Sequence, residues 1–398
     1  MVTAAPESHA SDVLSGSGRE PQPSVANSLK KVLHVGKYYP PHMGGIETHL
    51  EALCEQLLKS FDVQVMVSSD DRTASLETIR GVPVRRVPTS LTFASTPLCP
   101  GMISEIKRAQ CDILHLHFPN PMAVLAFLAS GTRARVVATY HSDMVRQKLL
   151  GPMFEPFLHA ALHRCHAIIV TSPNYLETSH VLARHRERCH VIPLGIRIED
   201  FAHCNPDLRR SIRSQYGDRL ILTTGRLVSY KGFEYLVRAM AQVDANLLIV
   251  GKGPLHDELR DLAADLGISH RVHLLGRIDH DRLAACYHAA QIFVLPSIGR
   301  NEAFGLVQVE AMAAGLPVVN TQLDSGVPYV SLHEHTGLTV PPKNAAALAA
   351  ALNRLLQAPD LRESLGRAAR VRARTEFSLD AMTHATAALY ERVLAGQT

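Results

Sequence analysis

Short apolar runs of strand length alternate with amphipathic helical stretches along this chain, and the alternation starts again about halfway. The first round opens KVLHVGKYYPPHMGGIETHLEALCEQLL: an apolar strand from Val32 to Gly36, a loop with Gly44 and Gly45, then a helix with apolar residues at Ile46, Leu50, Leu53 and Leu57. The second opens RLILTTGRLVSYKGFEYLVRAMAQV, with a strand from Leu220 to Thr224, a loop holding Arg226 and Lys231, and a helix from about Gly232. VQVMVSS, DILHLHF, RVVATYH, AIIVTSP and CHVIPLG supply the further strands of the first round; NLLIVGKGP, RVHLLGR, QIFVLPS and LPVVNTQ supply those of the second. Strands separated by helices pair in parallel, and open parallel sheets bind ligands at the carboxyl ends of their strands. The expected fold is α/β, with two Rossmann-like, doubly wound domains facing a cleft.

The first domain is expected over 29–200 and the second over 201–378, the break following HVIPLGIRIEDF, where the strand pattern gives way to a polar, proline-containing passage. Residues 379–398 hold a helix whose apolar stripe has no place in the second domain's alternation, so it is expected to cross back onto the first. Residues 1–28, rich in Ser, Pro, Ala and Gly without periodicity, read as a disordered arm.

Several function classes fall away on inspection. The arm lacks the positive-then-apolar layout of a secretory signal, and the run PMAVLAFLAS falls short of the roughly 20 residues a membrane span needs. The seven cysteines are scattered, odd in number and never in a C-x-x-C pair, which points to a reducing compartment without disulfides or structural zinc. A cytoplasmic protein is expected. His115 and His117 share one face of a strand, but no ligand set with recognisable spacing completes them, so they read as structural or site-wall residues. VGKGPLH has His256 where a dinucleotide fingerprint needs its third small residue, and SYKGF lacks the rest of a phosphate-binding P-loop.

The chemistry is carried by NEAFGLVQVEAMAAG, where Glu302 and Glu310 frame a strand-to-helix junction. With the helix starting near Gly305, eight residues at about 1.5 Å each span at most roughly 12 Å, the scale of an extended small ligand. Between the carboxylates, the first-turn amides around Gly305, Leu306 and Val307 make a cradle for an anion, and Phe304, Gly305 and Leu306 are expected donor contacts. Arg226 and Lys231 stand at another junction of the same sheet and suit a diphosphate. Taken singly, each pair reads as ordinary surface charge; their convergence is the informative feature. Gly44 and Gly45 allow close backbone approach from the other domain. In RVVATYHSDMVRQK, His141 ends an apolar strand, either facing the cleft or serving as a wall residue.

On these residues the chain, from about Lys30 onward, resembles the family-4 retaining glycosyltransferases of the GT-B fold. The matching motifs are the E-x7-E of Glu302 and Glu310, GRLVSYKG, HMGGIE and TYHSD. The resemblance implies that Glu302 holds the donor sugar's hydroxyls, Glu310 the ribose, Arg226 and Lys231 the diphosphate with Gly44 and Gly45 facing it, and that His141 touches the transferred hexose. His141 and Glu302 are thus the expected catalytic residues. No metal is expected, since no Asp-x-Asp cluster for a divalent ion is read in the cleft, and no cofactor; the nucleotide sugar is a substrate. The chain departs from many relatives at NTQLDSGVPYVS, where a glycine-rich loop ending in Glu is common.

The resemblance is nearest to bacterial mannosyl- and rhamnosyltransferases of surface-polysaccharide assembly. It implies GDP-mannose or a related GDP-hexose as donor, with a UDP-sugar as the alternative, and a glycan or polyprenyl-diphosphate-linked saccharide as acceptor. A sugar-nucleotide epimerase, a glycan phosphorylase and a binding module without turnover are the rival readings. From Arg80 to His190 the net charge is +7, against +4 for the whole chain, and Arg85 with Arg86, Lys107 with Arg108, Arg133 and Arg135, and Arg146 with Lys148 recur beside apolar residues. A peripheral contact with anionic lipid at the cytoplasmic face of the inner membrane is expected. Nucleic acid is not, because stacking aromatics are sparse.

Overall fold

The strands that sit at the centre of each sheet are buried from end to end because both of their faces are covered. Ile113–Phe118, Leu220–Thr224 and Ile292–Leu295 are buried at every position in the computed structural model. It describes residues 29–42, 44–93, 96–143 and 150–397. The arm expected over 1–28 lies outside them, as do Arg146 and Lys148.

The first sheet runs Cys189–Val191, Ala167–Val170, Arg135–Tyr140, Ile113–Phe118, Lys31–Val35, Asp62–Ser68, Val82–Val87, Ser75–Ile79, and only the last pairing is antiparallel. The second, all parallel, runs Val272–Gly276, Asn246–Val250, Leu220–Thr224, Ile292–Leu295, Val318–Thr321, Gly337–Val340. Each half's opening strand lies inside its sheet, between the strand that follows it and a later one. The order therefore reverses at Lys31–Val35 and at Leu220–Thr224, and the ends of those strands are where such sheets receive ligands.

Five strands that hydropathy does not reveal complete the architecture. Ser75–Ile79 is an exposed edge strand, Val82–Val87 carries Pro83, Arg85 and Arg86, and Leu91–Phe93 pairs with Thr96–Leu98 in a separate hairpin. Gly337–Val340, the fifth such segment, is too short to stand out. Arg86 also corrects the expectation of a basic lipid-facing pair with Arg85. Its side chain is 10% exposed, paired with Glu77 and donating to the Pro40 carbonyl.

The helix Leu379–Leu394 packs on the helix Gly45–Leu57, with Leu379, Met382, Leu389, Tyr390 and Val393 buried among Leu50, Leu53 and Val63 of the first half. The return crossing runs beside the outward one. Leu379 N–H donates to the Ile196 carbonyl at 2.7 Å and Ile196 N–H to that of Phe377 at 3.0 Å. The two segments lie so close that a Cβ on Gly195 would run into the Ser378 carbonyl oxygen.

Candidate active site

In the second half, the loop leaving Leu220–Thr224 meets the loop leaving Ile292–Leu295, and the Ile298 N–H donates to the Tyr230 carbonyl at 2.8 Å. Their charged groups meet as well. Lys231 and Glu302, each 8% exposed, form an ion pair, and Ser297 Oγ donates to Glu302 Oε2 at 3.1 Å. A pair this buried holds both groups in fixed positions, since either one alone would be an uncompensated charge. Arg226 on the same loop is exposed, with no carboxylate partner among the described residues.

Gly305 precedes the helix Leu306–Ala313 in the left-handed conformation, at φ +77°, and a Cβ there would lie 2.7 Å from Leu295 Cδ2. Only glycine fits, so no side chain caps the first-turn amides. Gly44 and Gly232 likewise begin their helices without a side-chain cap. Asn120, Ser172, Asn205, Asp279, Asn344 and Ser378 do cap theirs. The helix starts at Gly44, Gly232 and Gly305 are thus open to an anion.

Glu310, one turn into the helix, accepts the Tyr287 O–H at 2.7 Å, and the phenol oxygen lies 3.0 Å from Thr224 Oγ1. Burial raises the Glu310 carboxyl above the usual carboxylate range, with the Tyr287 hydrogen bond opposing it, and pushes the Tyr287 phenol well up. Tyr287 and Gln308 were not legible as site residues. Gln308 is fully buried; Asn320 Nδ2 donates to its Oε1 at 2.9 Å, and both amides donate to the Val327 carbonyl, fixing the departing loop NTQLDSGVPYVS. The Phe304 ring turns into the apolar core, edge to face with Phe377 at 5.8 Å, so only its backbone is free to meet a ligand.

In the first half, a Cβ on Gly45 would meet nothing within 4 Å, whereas one on Gly44 would strike Glu47 Oε2 at 2.3 Å. His141 follows Arg135–Tyr140 and is 5% exposed, turned toward His117 with Nε2 to Nδ1 at 3.2 Å. His34, His49 and His115 join it. His49 is 4% exposed with both ring nitrogens unpaired, and burial pushes its imidazole down to about 4. His34–His115–His117 and His49–His117–His141 each keep one nitrogen per ring within 4.8 Å of the others, the only such His, Cys, Asp or Glu groups among the described residues. One Asp-x-Asp sequence, Asp279-His280-Asp281, escapes the sequence reading; Asp279 Oδ1 is taken as a helix cap by the Arg282 N–H at 2.8 Å.

The halves touch through segments leaving strand carboxyl ends. Arg300 donates to Asp143 Oδ2 and to the Thr178 carbonyl, both at 3.1 Å, and lies over the Tyr175 ring at 5.3 Å. Thr178 Oγ1 donates to the Asp324 carbonyl at 3.1 Å. Gly251 and Gly253 of VGKGPLH serve packing: a Cβ on either would run into the backbone of Gly225 or Leu227.

Residues 43–200 match the family described as Glycosyltransferase Family 4, and residues 205–372 the one described as Glycosyl transferases group 1. The chain is 34% identical over 352 residues to a D-rhamnosyltransferase, WbpZ, of Pseudomonas aeruginosa, covering 87% of this chain and 92% of the relative. It is 29% identical to an O-antigen chain mannosyltransferase of Escherichia coli, over 92% and 99% of the two chains. It is also 29% identical to a GDP-mannose-dependent phosphatidylinositol monomannoside mannosyltransferase of Mycolicibacterium smegmatis, over 85% and 92%. Among solved structures, sucrose-phosphate synthase of Thermosynechococcus elongatus superposes with a TM-score of 0.76 at 25% identity, covering 92% of this chain and all of that one.

Proposed function

The chain belongs to the family-4 glycosyltransferases, and from that membership we propose that it moves a hexose, with retention of configuration, from GDP-mannose or a related GDP-hexose to a lipid-linked saccharide of bacterial surface-polysaccharide synthesis. The observation that carries this reading is the meeting of the buried Lys231–Glu302 pair with the uncapped helix at Gly305, beside the unpaired Arg226. The nucleotide and sugar are supported by relatives named for rhamnosyl and mannosyl transfer, one of them GDP-mannose-dependent.

Breaking a glycosyl–phosphate bond builds positive charge on the sugar and negative charge on the departing diphosphate. Arg226, Lys231 and the first-turn amides after Gly305 stabilise the latter electrostatically. Glu302, held by Lys231 and Ser297, accepts hydrogen bonds from the sugar's hydroxyls, while Glu310, held by Tyr287, takes those of the ribose. The acceptor hydroxyl attacks from the face the diphosphate leaves and passes its proton to the leaving phosphate oxygen. The bond to phosphate breaks as the new glycosidic bond forms.

The test is a donor panel of GDP-mannose, other GDP-hexoses and UDP-hexoses with a polyprenyl-diphosphate-linked saccharide, following released nucleoside diphosphate and the anomeric configuration of the product by NMR. An axial-to-axial transfer from a GDP-hexose is expected. Activity with UDP-sugars alone, or an inverted product, overturns the reading; conversion of the donor without a glycosylated acceptor favours an epimerase.

A further inference from the structure

Strand periodicity gathers one set of histidines. Successive residues of a strand face opposite sides of its sheet, so His34, His115, His117, Thr139 and His141 lie on the side of Val32, Ile113 and Val137, beneath the helix Leu379–Leu394. There they form an unbroken chain. His141 Nε2 is 3.2 Å from His117 Nδ1, His117 Nε2 is 3.0 Å from His34 Nδ1, and His34 Nε2 is 3.4 Å from the Tyr390 hydroxyl. That hydroxyl also meets His115 Nδ1, whose ring places Nε2 2.7 Å from Thr139 Oγ1.

The ring geometry identifies these links. His34 and His117 have centres 5.3 Å apart with planes at 24°, and His117 and His141 are at 5.5 Å and 18°. Rings that far apart, yet nearly coplanar and in nitrogen contact, meet edge to edge, which is the geometry of N–H···N bonds. A metal would need both lone pairs to converge on one ion at about 2.0–2.1 Å from each. His115 and His117, by contrast, stack face to face at 4.4 Å.

We propose that Tyr390 fixes the tautomer of His141 through His34 and His117, and is thereby a positioning residue for the transferase reaction. Burial pushes the His34 imidazole down to about 3 and those of His115, His117 and His141 well below their ordinary value, so each ring is neutral and has one N–H to give. One proton per link couples the tautomers. Tyr390 has a single hydrogen, and its tighter contact, with His115, takes it. His34 Nε2–H then donates to the phenol oxygen, His117 Nε2–H to His34 Nδ1, and His141 Nε2–H to His117 Nδ1. His141 Nδ1, which has no hydrogen-bond partner among the described residues, is left a bare acceptor for a hydroxyl of the donor sugar. The last step rests on the proposed function, which puts the sugar at His141.

Nitrogen-15 NMR of the histidine-labelled full chain reads the tautomers without any turnover, so the chain of bonds and the function are tested separately. His141 should be protonated at Nε2 in the wild type. Tyr390→Phe keeps the ring packed against Phe61, whose centre is 5.5 Å away, and should give a mixture. Turnover should fall on the order of 10-fold, the size usual when an orienting partner is lost, with KM for the donor unchanged. His115→Phe removes the acceptor of the Tyr390 hydrogen, reverses the chain and should move the His141 proton to Nδ1. Wild-type His141 protonated at Nδ1, or wild-type tautomers in both variants, overturns the proposal. Shifted tautomers with unchanged turnover would uphold the chain of bonds and overturn the place of His141 at the donor.

Discussion

Lys231 and Glu302, on two different loops, form an ion pair in which neither side chain is more than 10% exposed. Under the proposed function the pair couples donor binding to folding: breaking it leaves a buried charge, commonly at a cost of about 3–5 kcal/mol. Lys231→Met should therefore lower the denaturant midpoint of the ligand-free protein strongly, and adding Glu302→Gln should restore most of the loss. Equal stability of the single and double variants would show that the pair is solvated. In kinetics, Lys231→Met should weaken donor binding, while Glu302→Gln should chiefly lower kcat, on the order of 100-fold.

Glu310 makes a pH prediction. Its carboxyl is raised by burial above the ordinary 4.5, so the folded state holds the proton more tightly than the unfolded chain. The associated stability is fully present below 4.5 and is lost as pH rises through the raised value. Glu310→Gln should remain neutral throughout, so its stability relative to wild type should grow as pH climbs from 4 toward 7, read as urea midpoints in the absence of donor. A difference that does not change with pH would mean that Glu310 is as well solvated in the fold as out of it. With donor present, the same variant should bind more weakly, because the ribose loses its acceptor.

Turnover should survive EDTA. In the proposed function Arg226, Lys231 and the helix amides after Gly305 meet the diphosphate's charge, and Asp279 of the Asp-x-Asp sequence is engaged as a helix cap. Activity lost to chelation and regained with magnesium or manganese would contradict this.

Membrane contact is testable by flotation. Lys107, Arg108, Arg133 and Arg135 are exposed in the first half, and Met153 and Phe157 are 74% and 49% exposed. No helix among the described residues is long and apolar enough to cross a bilayer. Binding to liposomes should rise with anionic lipid, fall with salt and fall again in Arg146→Glu/Lys148→Glu, each cation adding about 1 kcal/mol. A protein that stays in the soluble fraction at every lipid charge would require a soluble acceptor instead.

The sequence by itself determined the elements and their faces. Alternating apolar runs marked the central strands, Gly305 and the two glutamates marked one junction, and period two put His115 and His117 on one side of a strand. Those are local signals, set by backbone geometry over a few residues. It did not reveal Ser75–Ile79 or Val82–Val87, where an edge position and buried Arg86 erase the apolar pattern. Only the tertiary structure decided which local pieces meet. Lys231 finds Glu302 because two strands of the second sheet are neighbours, and Arg300 finds Asp143, 157 residues away, because the halves face each other. Tyr390 finds His34 across 356 residues because the last helix returns to the first sheet. Strand order and helix docking are fixed by the joint burial of distant apolar surfaces, and hydropathy along one strand carries no record of which other strand will lie beside it.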